Sequence, residues 1–286
     1  MGNTAASAHV RARSQTSEVV DPLWRDLRTE AERSLRDEPA LAGLVWSGVL
    51  SRSSLEGAVG YRVAARLGSE TLPDAQIAEL WADAIAAEPR IASGMRADLR
   101  AVLERDPAAR GPLDPVLFYK GFHALQAHRL AHRLWNAGRR DLALFFQCRS
   151  SEVFQTDIHP AVHIGSGVFL DHATGFVAGE TAIIGDDVSI LQGVTLGGSG
   201  LAHGDRHPKI RNGCLLGAGA QIVGPVEIGT SARVAAGSVV LMDVPPCTTV
   251  AGVPARIVGS GGCAEPAKQM DQQLADSAYA SFTYTI

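Results

Sequence analysis

The chain predicts an α+β protein built in two parts: an N-terminal all-helical region, then a left-handed parallel β-helix with an extruded loop and a flexible C-terminal tail. Three observations predict it. Thirteen apolar-led hexads run from Ile158 to Val240, a six-residue period that fits neither a helix face nor an alternating strand. Ahead of them the apolar residues recur with the helical period. Between Val194 and Ile210 the hexads are interrupted by a stretch rich in charge and histidine.

Residues 1–20 are rich in Ala, Ser, Thr and Arg, lack the apolar core of a signal peptide, and read as a disordered arm. Residues 21–155 read as helical. Asp21-Pro22 supplies an N-cap with proline at the first helical position, and Leu23, Leu27 and Ala31 share a face. Further helices are expected over Leu41–Leu67, Asp74–Ala87, Ile91–Leu103, Pro115–Trp135 and Arg139–Phe154, separated by Glu88-Pro89, Asp106-Pro107 and Gly138. The period changes between Phe154 and Ile158, which implies a rigid joint with almost no linker.

Residues 156–259 read as the β-helix. The lead residues are Ile158, Ile164, Leu170, Phe176, Ala182, Val188 and Val194, then Ile210, Leu216, Ile222, Ile228, Val234 and Val240. Three short strands close a coil of about eighteen residues, so the series predicts about four coils and a prism roughly 20 Å long. The step from Val194 to Ile210 spans sixteen residues where six would continue the series, so ten extra residues leave the coil near Gly200–His207. Residues 260–286 read as a flexible tail, because glycine and polar residues dominate until the last five.

Composition excludes several function classes. A net charge of −4 argues against nucleic-acid binding, and nowhere do eighteen apolar residues run together, so no membrane span and a cytoplasmic location are expected. Cys148, Cys214, Cys247 and Cys263 match neither a zinc pair nor a disulfide framework and read as reduced thiols. His128 and His132, four apart on one helix, lack a clear third ligand, and no metal is expected. No glycine-rich nucleotide loop is present, so a nucleotide-bearing co-substrate would lie along the prism surface. Ala218 and Ala236, eighteen residues apart, would stack there as a smooth strip.

The candidate chemistry centres on His172, which follows the inward Leu170 among small residues that leave its ring accessible and suited to general-base work. Asp157 lies on the same side of the prism, and a carboxylate there could orient the imidazole. The gap is about three extended residues, or 10 Å, so the corner must fold Asp157 inward. Asp171, Asp205, Arg206 and His207 add what a zwitterion needs: arginine grips a carboxylate and aspartate holds an ammonium.

Taken together, Lys120–Ala127, Asp157–Pro160, Leu170–Gly175, Val194–Gly198, Gly204–Ile210 and Ala251–Arg256 give the chain its resemblance to bacterial serine O-acetyltransferases, of the hexapeptide-repeat acyltransferase superfamily. The resemblance implies His172 and Asp157 as a catalytic dyad, with Asp106, Asp171, Arg206 and His207 holding L-serine. It implies acetyl-CoA as co-substrate, met by Gly198, Ala218 and Ala236, and L-cysteine as inhibitor. It further implies trimers with sites between neighbouring β-helices, paired into a dimer of trimers. The terminal Ile286 resembles the tail that inserts into O-acetylserine sulfhydrylase. Asp106 enters only through the resemblance, since composition and spacing would not select it.

Other readings are an acyltransferase for a different acceptor, such as a sugar, homoserine or an antibiotic hydroxyl, and a catalytically silent scaffold that binds the sulfhydrylase. Arg206 with Asp171 argues for an amino acid, and His172 with Asp157 argues for catalysis. A zinc-dependent carbonic anhydrase on the same solenoid would need three stacked histidines, and His159, His163 and His172 lack that spacing.

Overall fold

Local rules set the helices. In the computed structural model, which describes residues 21–200, 203–260 and 265–273, α1 (Pro22–Asp37) starts where the Asp21 carboxylate accepts the Leu23 N–H. The single helix expected over Leu41–Leu67 is broken. A short α2 (Ala42–Val45) runs into a π-helical turn, Trp46–Leu50, and α3 (Leu55–Leu67) restarts where Ser54 caps Gly57. The serine-rich link Ser51–Ser54 favours such caps over helix interior. Next come α4 (Asp74–Ala87) and α5 (Arg90–Arg105). Tyr119 is extended, so the helix expected over Pro115–Trp135 divides into α6 (Leu113–Leu117) and α7 (Lys120–Asn136). Then α8 (Arg140–Phe154) ends in a left-handed Gln155, and the first strand begins at Thr156.

The hexads build a parallel β-helix of three sheets. The first holds the strands Thr156–Ile158, Phe176–Ala178, Thr195–Gly197, Gln221–Val223 and Val239–Val240. The second has four strands. The third has five parallel strands and is completed by the antiparallel Ala255–Ser260. Five strands in one sheet make about five turns, one more than expected. All thirteen expected lead residues are buried, none more than 8% exposed.

Register corrects the spacing. Val177 pairs with Thr195 and Gln221 with Val239, each eighteen residues apart, but Asp157 pairs with Val177 twenty residues on and Thr195 with Gln221 twenty-six on. The first coil therefore carries two extra residues and the loop eight. Each hexad sends two side chains inward, two positions apart. Ile158, Ala178, Leu196, Ile222 and Val240 stack in one row of the first sheet, and Thr156, Phe176, Val194, Ala220 and Ser238 lie buried beside them. The expected series steps from one row to the other at Phe176, which assigns all ten extra residues to the loop.

Residues 265–273, within the segment expected to be a flexible tail, fold back onto the molecule. They form α9 (Pro266–Gln269), with Pro266 and Ala267 buried. Arg233 donates to the carbonyl of Asp271 at 2.9 Å. Of the cysteines, Cys148 and Cys214 are free and Cys247 is disulfide-bonded, which corrects the expectation of reduced thiols throughout.

Candidate active site

The two extra residues sit at the corner between the third and first sheets, and they are His172 and its neighbour. His172 (φ 55°) and Ala173 (φ 63°) both occupy the left-handed region, so the chain swings outward before Gly175 returns it to register. Such residues cost about 1 kcal/mol or more each and persist only where packing determines them. Here Ala173 is fully buried, and Gly121 at the start of α7 lies so close that a Cβ would stand 2.0 Å from the Leu170 carbonyl oxygen. Lys120, one residue earlier, donates to the Thr174 hydroxyl. The His172 side chain is 74% exposed.

Beneath this corner runs the strip. Gly193 N–H donates to Thr174 O, Gly219 N–H to Gln192 O, and Gly237 N–H to Ala218 O, each at 2.8 Å. Thr174, Gln192, Ala218 and Ala236 are thus successive steps on one corner of the prism, headed by His172. Two carboxylates attend it. Asp171 Oδ1 stands 3.8 Å from His172 Nε2. Asp106, which ends α5 and accepts the Ala108 N–H, is an electrostatic neighbour of Asp171. Burial pushes the Asp171 carboxyl above its ordinary value; His172 opposes the rise and Asp106 adds to it.

The other expected residues gather at the opposite edge of the first sheet. Arg206 and His207 fold back over Gly179, Glu180 and Thr181, and with Asp157, His159 and Gln147 they line a cavity of about 270 Å³. Arg206 Nη2 donates to Glu180 Oε2 at 2.8 Å. Thr181 Oγ1 accepts the N–H groups of Arg206 and His207 and lies 2.8 Å from His207 Nδ1. The Thr181 N–H also donates to Nδ1, which leaves Nε2 as the protonated nitrogen of the neutral ring. Burial, reinforced by Arg206 and Lys209, holds the His207 pKa below its ordinary value, so the ring offers a neutral N–H donor.

Within one chain the expected residues therefore form two groups. Asp106, Asp171 and His172 share one corner with Ala218 and Ala236. Asp157, Arg206 and His207 share the other edge, where Gly198 also lies against Arg206 Cγ and His207 Nε2. Asp157 accepts from Gln147 Nε2 at 2.6 Å, and the carboxylate facing His172 is that of Asp171. Ile286 lies outside the described residues. No cluster of three or more metal-ligating side chains occurs among the described residues, and none of their helices is long and apolar enough to cross a membrane.

Sequence reasoning missed Glu180 and Thr181, which set Arg206 and His207. Each is paired with a loop residue twenty-six positions on, the register of the eight-residue loop. Reading the loop as ten residues removed that signal.

Comparison with known proteins bears on most of the chain. The family described as "Serine acetyltransferase, N-terminal" matches residues 23–127, and "Bacterial transferase hexapeptide (six repeats)" matches residues 207–241. A serine acetyltransferase of Salmonella typhimurium (strain LT2) is 52% identical over 258 residues, covering 90% of this chain and 94% of that protein. The crystal structure of serine acetyltransferase from Brucella abortus strain S19 in complex with coenzyme A is 53% identical, with a TM-score of 0.84, covering 85% of this chain and 98% of that one. A serine acetyltransferase in complex with cysteine is 46% identical, with a TM-score of 0.86, covering 88% and 98%.

Proposed function

The chain belongs to the serine acetyltransferase family, and we propose that its active site is assembled from two half-sites on opposite edges of the first sheet. The enzyme transfers the acetyl group of acetyl-CoA to the hydroxyl of L-serine, giving O-acetylserine and CoA. The observation that carries the site reading is His172, exposed at the head of a corner strip whose Ala218 and Ala236 steps leave room for an extended pantetheine arm.

His172, oriented by Asp157, takes the serine hydroxyl proton as the oxygen attacks the thioester carbonyl, then gives that proton to the departing thiolate. Asp106 and Asp171 hold the serine ammonium, Arg206 grips its carboxylate, and His207 supplies a neutral N–H donor beside it. Gly198, Ala218 and Ala236 meet acetyl-CoA. One chain holds these groups on two edges, so a closed ring of identical chains, edge to opposite edge, completes each site. This geometry supports a trimer, and a dimer of trimers is part of the same reading. L-cysteine, the same zwitterion with a thiol, would occupy the serine subsite as inhibitor. Ile286 would engage O-acetylserine sulfhydrylase, with its apolar side chain and carboxylate captured in a pocket. A cytoplasmic location belongs to the same proposal.

The test is thiol release from acetyl-CoA with L-serine, with homoserine and a simple sugar as competing acceptors. His172→Ala should stay folded and lose about 10²–10⁴-fold in turnover, the usual worth of general acid–base catalysis. Near-normal turnover would remove His172 from its role. Deleting Ile286 should abolish co-purification with the sulfhydrylase while acetyl transfer persists.

A further inference from the structure

One buried cation, Arg105, takes no part in the chemistry above. It is the last residue of α5, only 4% exposed, and its guanidinium reaches into the second coil of the β-helix. It donates to Ser189 Oγ at 3.1 Å, to Val188 O at 3.5 Å and to Asp187 Oδ1 at 3.0 Å. The Ser189 hydroxyl donates onward to Ala267 O at 2.7 Å, in the segment that folds back from the C-terminal side. The next backbone carbonyl on this strand, Ile190 O, accepts the N–H of Asp171 at 2.8 Å.

Two carboxylates that would clasp the serine ammonium thus hang from one strand by different routes. Asp171 is tied to it directly through the backbone. Asp106 belongs to the helical part of the molecule, and its own fixed contacts are local: its N–H bonds Val102 O and its side chain caps Ala108. Its place opposite Asp171 depends on where the end of α5 is pinned, and Arg105, the residue before it, pins it to Ser189. A flexible lysine would not reproduce this fork of donors.

We propose that Arg105 and Ser189 are positioning residues for serine binding, which fix the separation of Asp106 and Asp171, and that the C-terminal segment reports to this pair through Ala267. The proposal rests on the reading of Asp106 as a serine ligand.

The test is steady-state kinetics of the full-length protein with Ser189→Ala, Asp106→Asn and the double variant, and with Arg105→Lys as a second probe of the same node. Loss of one well-placed hydrogen bond predicts a rise of about fivefold in KM for serine, with KM for acetyl-CoA within about 1.5-fold of the parent. In the Asp106→Asn background the same Ser189→Ala change should have no further effect on serine KM. A general loss of packing would raise both KM values or lower kcat alone, and would add to Asp106→Asn; either result overturns the proposal. If Asp106→Asn alone leaves serine KM unchanged, Asp106 is not a ligand and the proposal falls with that reading. If Asp106→Asn raises it and neither Ser189→Ala nor Arg105→Lys does, only the positioning role fails.

Discussion

Adding one methyl group at Gly179 should disable serine binding without substituting any residue that binds serine. A Cβ built there stands 2.0 Å from His207 Nε2 and 2.2 Å from its Cδ2. Ordinary contact is about 3.5 Å, so the ring must retreat by about 1.5 Å. It cannot do so freely. Thr181 holds Nδ1 through its hydroxyl at 2.8 Å and its N–H at 3.2 Å, and the same hydroxyl accepts the His207 N–H. Retreat therefore breaks the contacts that fix the tautomer and carries the Nε2 donor out of the cavity shared with Arg206. Misplacing a positioning group by about 1 Å costs about 10²-fold in favourable cases, so Gly179→Ala should lower kcat/KM for serine about 30- to 100-fold. The backbone at Gly179 is not left-handed, so alanine adds no backbone strain and the clash is confined to the His207 ring; the melting temperature should fall by only a few degrees. The assay is thiol release across a serine titration at saturating acetyl-CoA, with KM for acetyl-CoA as the internal control. A kcat/KM for serine within threefold of the parent would show that His207 does not act there.

Two further outcomes concern buried polar groups in and beside the helical region. Asp98, 1% exposed, accepts from Arg129 Nε and Nη2, Gln126 Nε2 and Val168 N, so Asp98→Ala leaves a largely buried guanidinium without its carboxylate; urea unfolding should show a loss of about 3–5 kcal/mol. A loss under about 1 kcal/mol would mean that the pair is solvated. His123 and His128 bond Val116 O and Val162 O, and burial lowers both pKa values from 6.5 to about 3. The unfolded chain binds protons below about pH 6.5 and the folded one does not, so stability is intact above 6.5 and declines as pH falls toward 3, by about 1.4 kcal/mol per unit for each histidine. Moving from pH 7 to pH 5 should lower the urea midpoint in the parent and less in His128→Gln; equal shifts would count against this assignment.

The fold was largely legible because the β-helix writes its period into the sequence. An interior wide enough for two side chains per strand demands apolar or small residues at two positions in six, and no packing partner outside the coil alters that demand. The helical half was less legible at its breaks. The link Ser51–Ser54 and the extended Tyr119 divide stretches whose apolar period continues across them, because the buried face is shared by the flanking helices.

The site was legible in its parts and not in its arrangement, and the reason lies in the two inward rows. When both rows are apolar, a two-residue insertion moves the chain from one to the other without breaking the pattern: Phe176, Ala182, Val188 and Val194 satisfy the six-residue series as well as Ala178, Ile184, Ile190 and Leu196 do. All eight are buried. The insertion at His172 was therefore silent in hydropathy, and its two residues were counted into the loop. That single displacement has two consequences. It conceals that His172 stands on an outward bulge at the head of the strip, where an imidazole projects 74% exposed from a corner of the solenoid. It also conceals the twenty-six-residue register that sets Arg206 and His207 over Glu180 and Thr181. A periodic fold hides an insertion that equals the spacing between its inward rows, so departures of two residues are where chemistry can be placed in a β-helix without cost to the pattern that builds it.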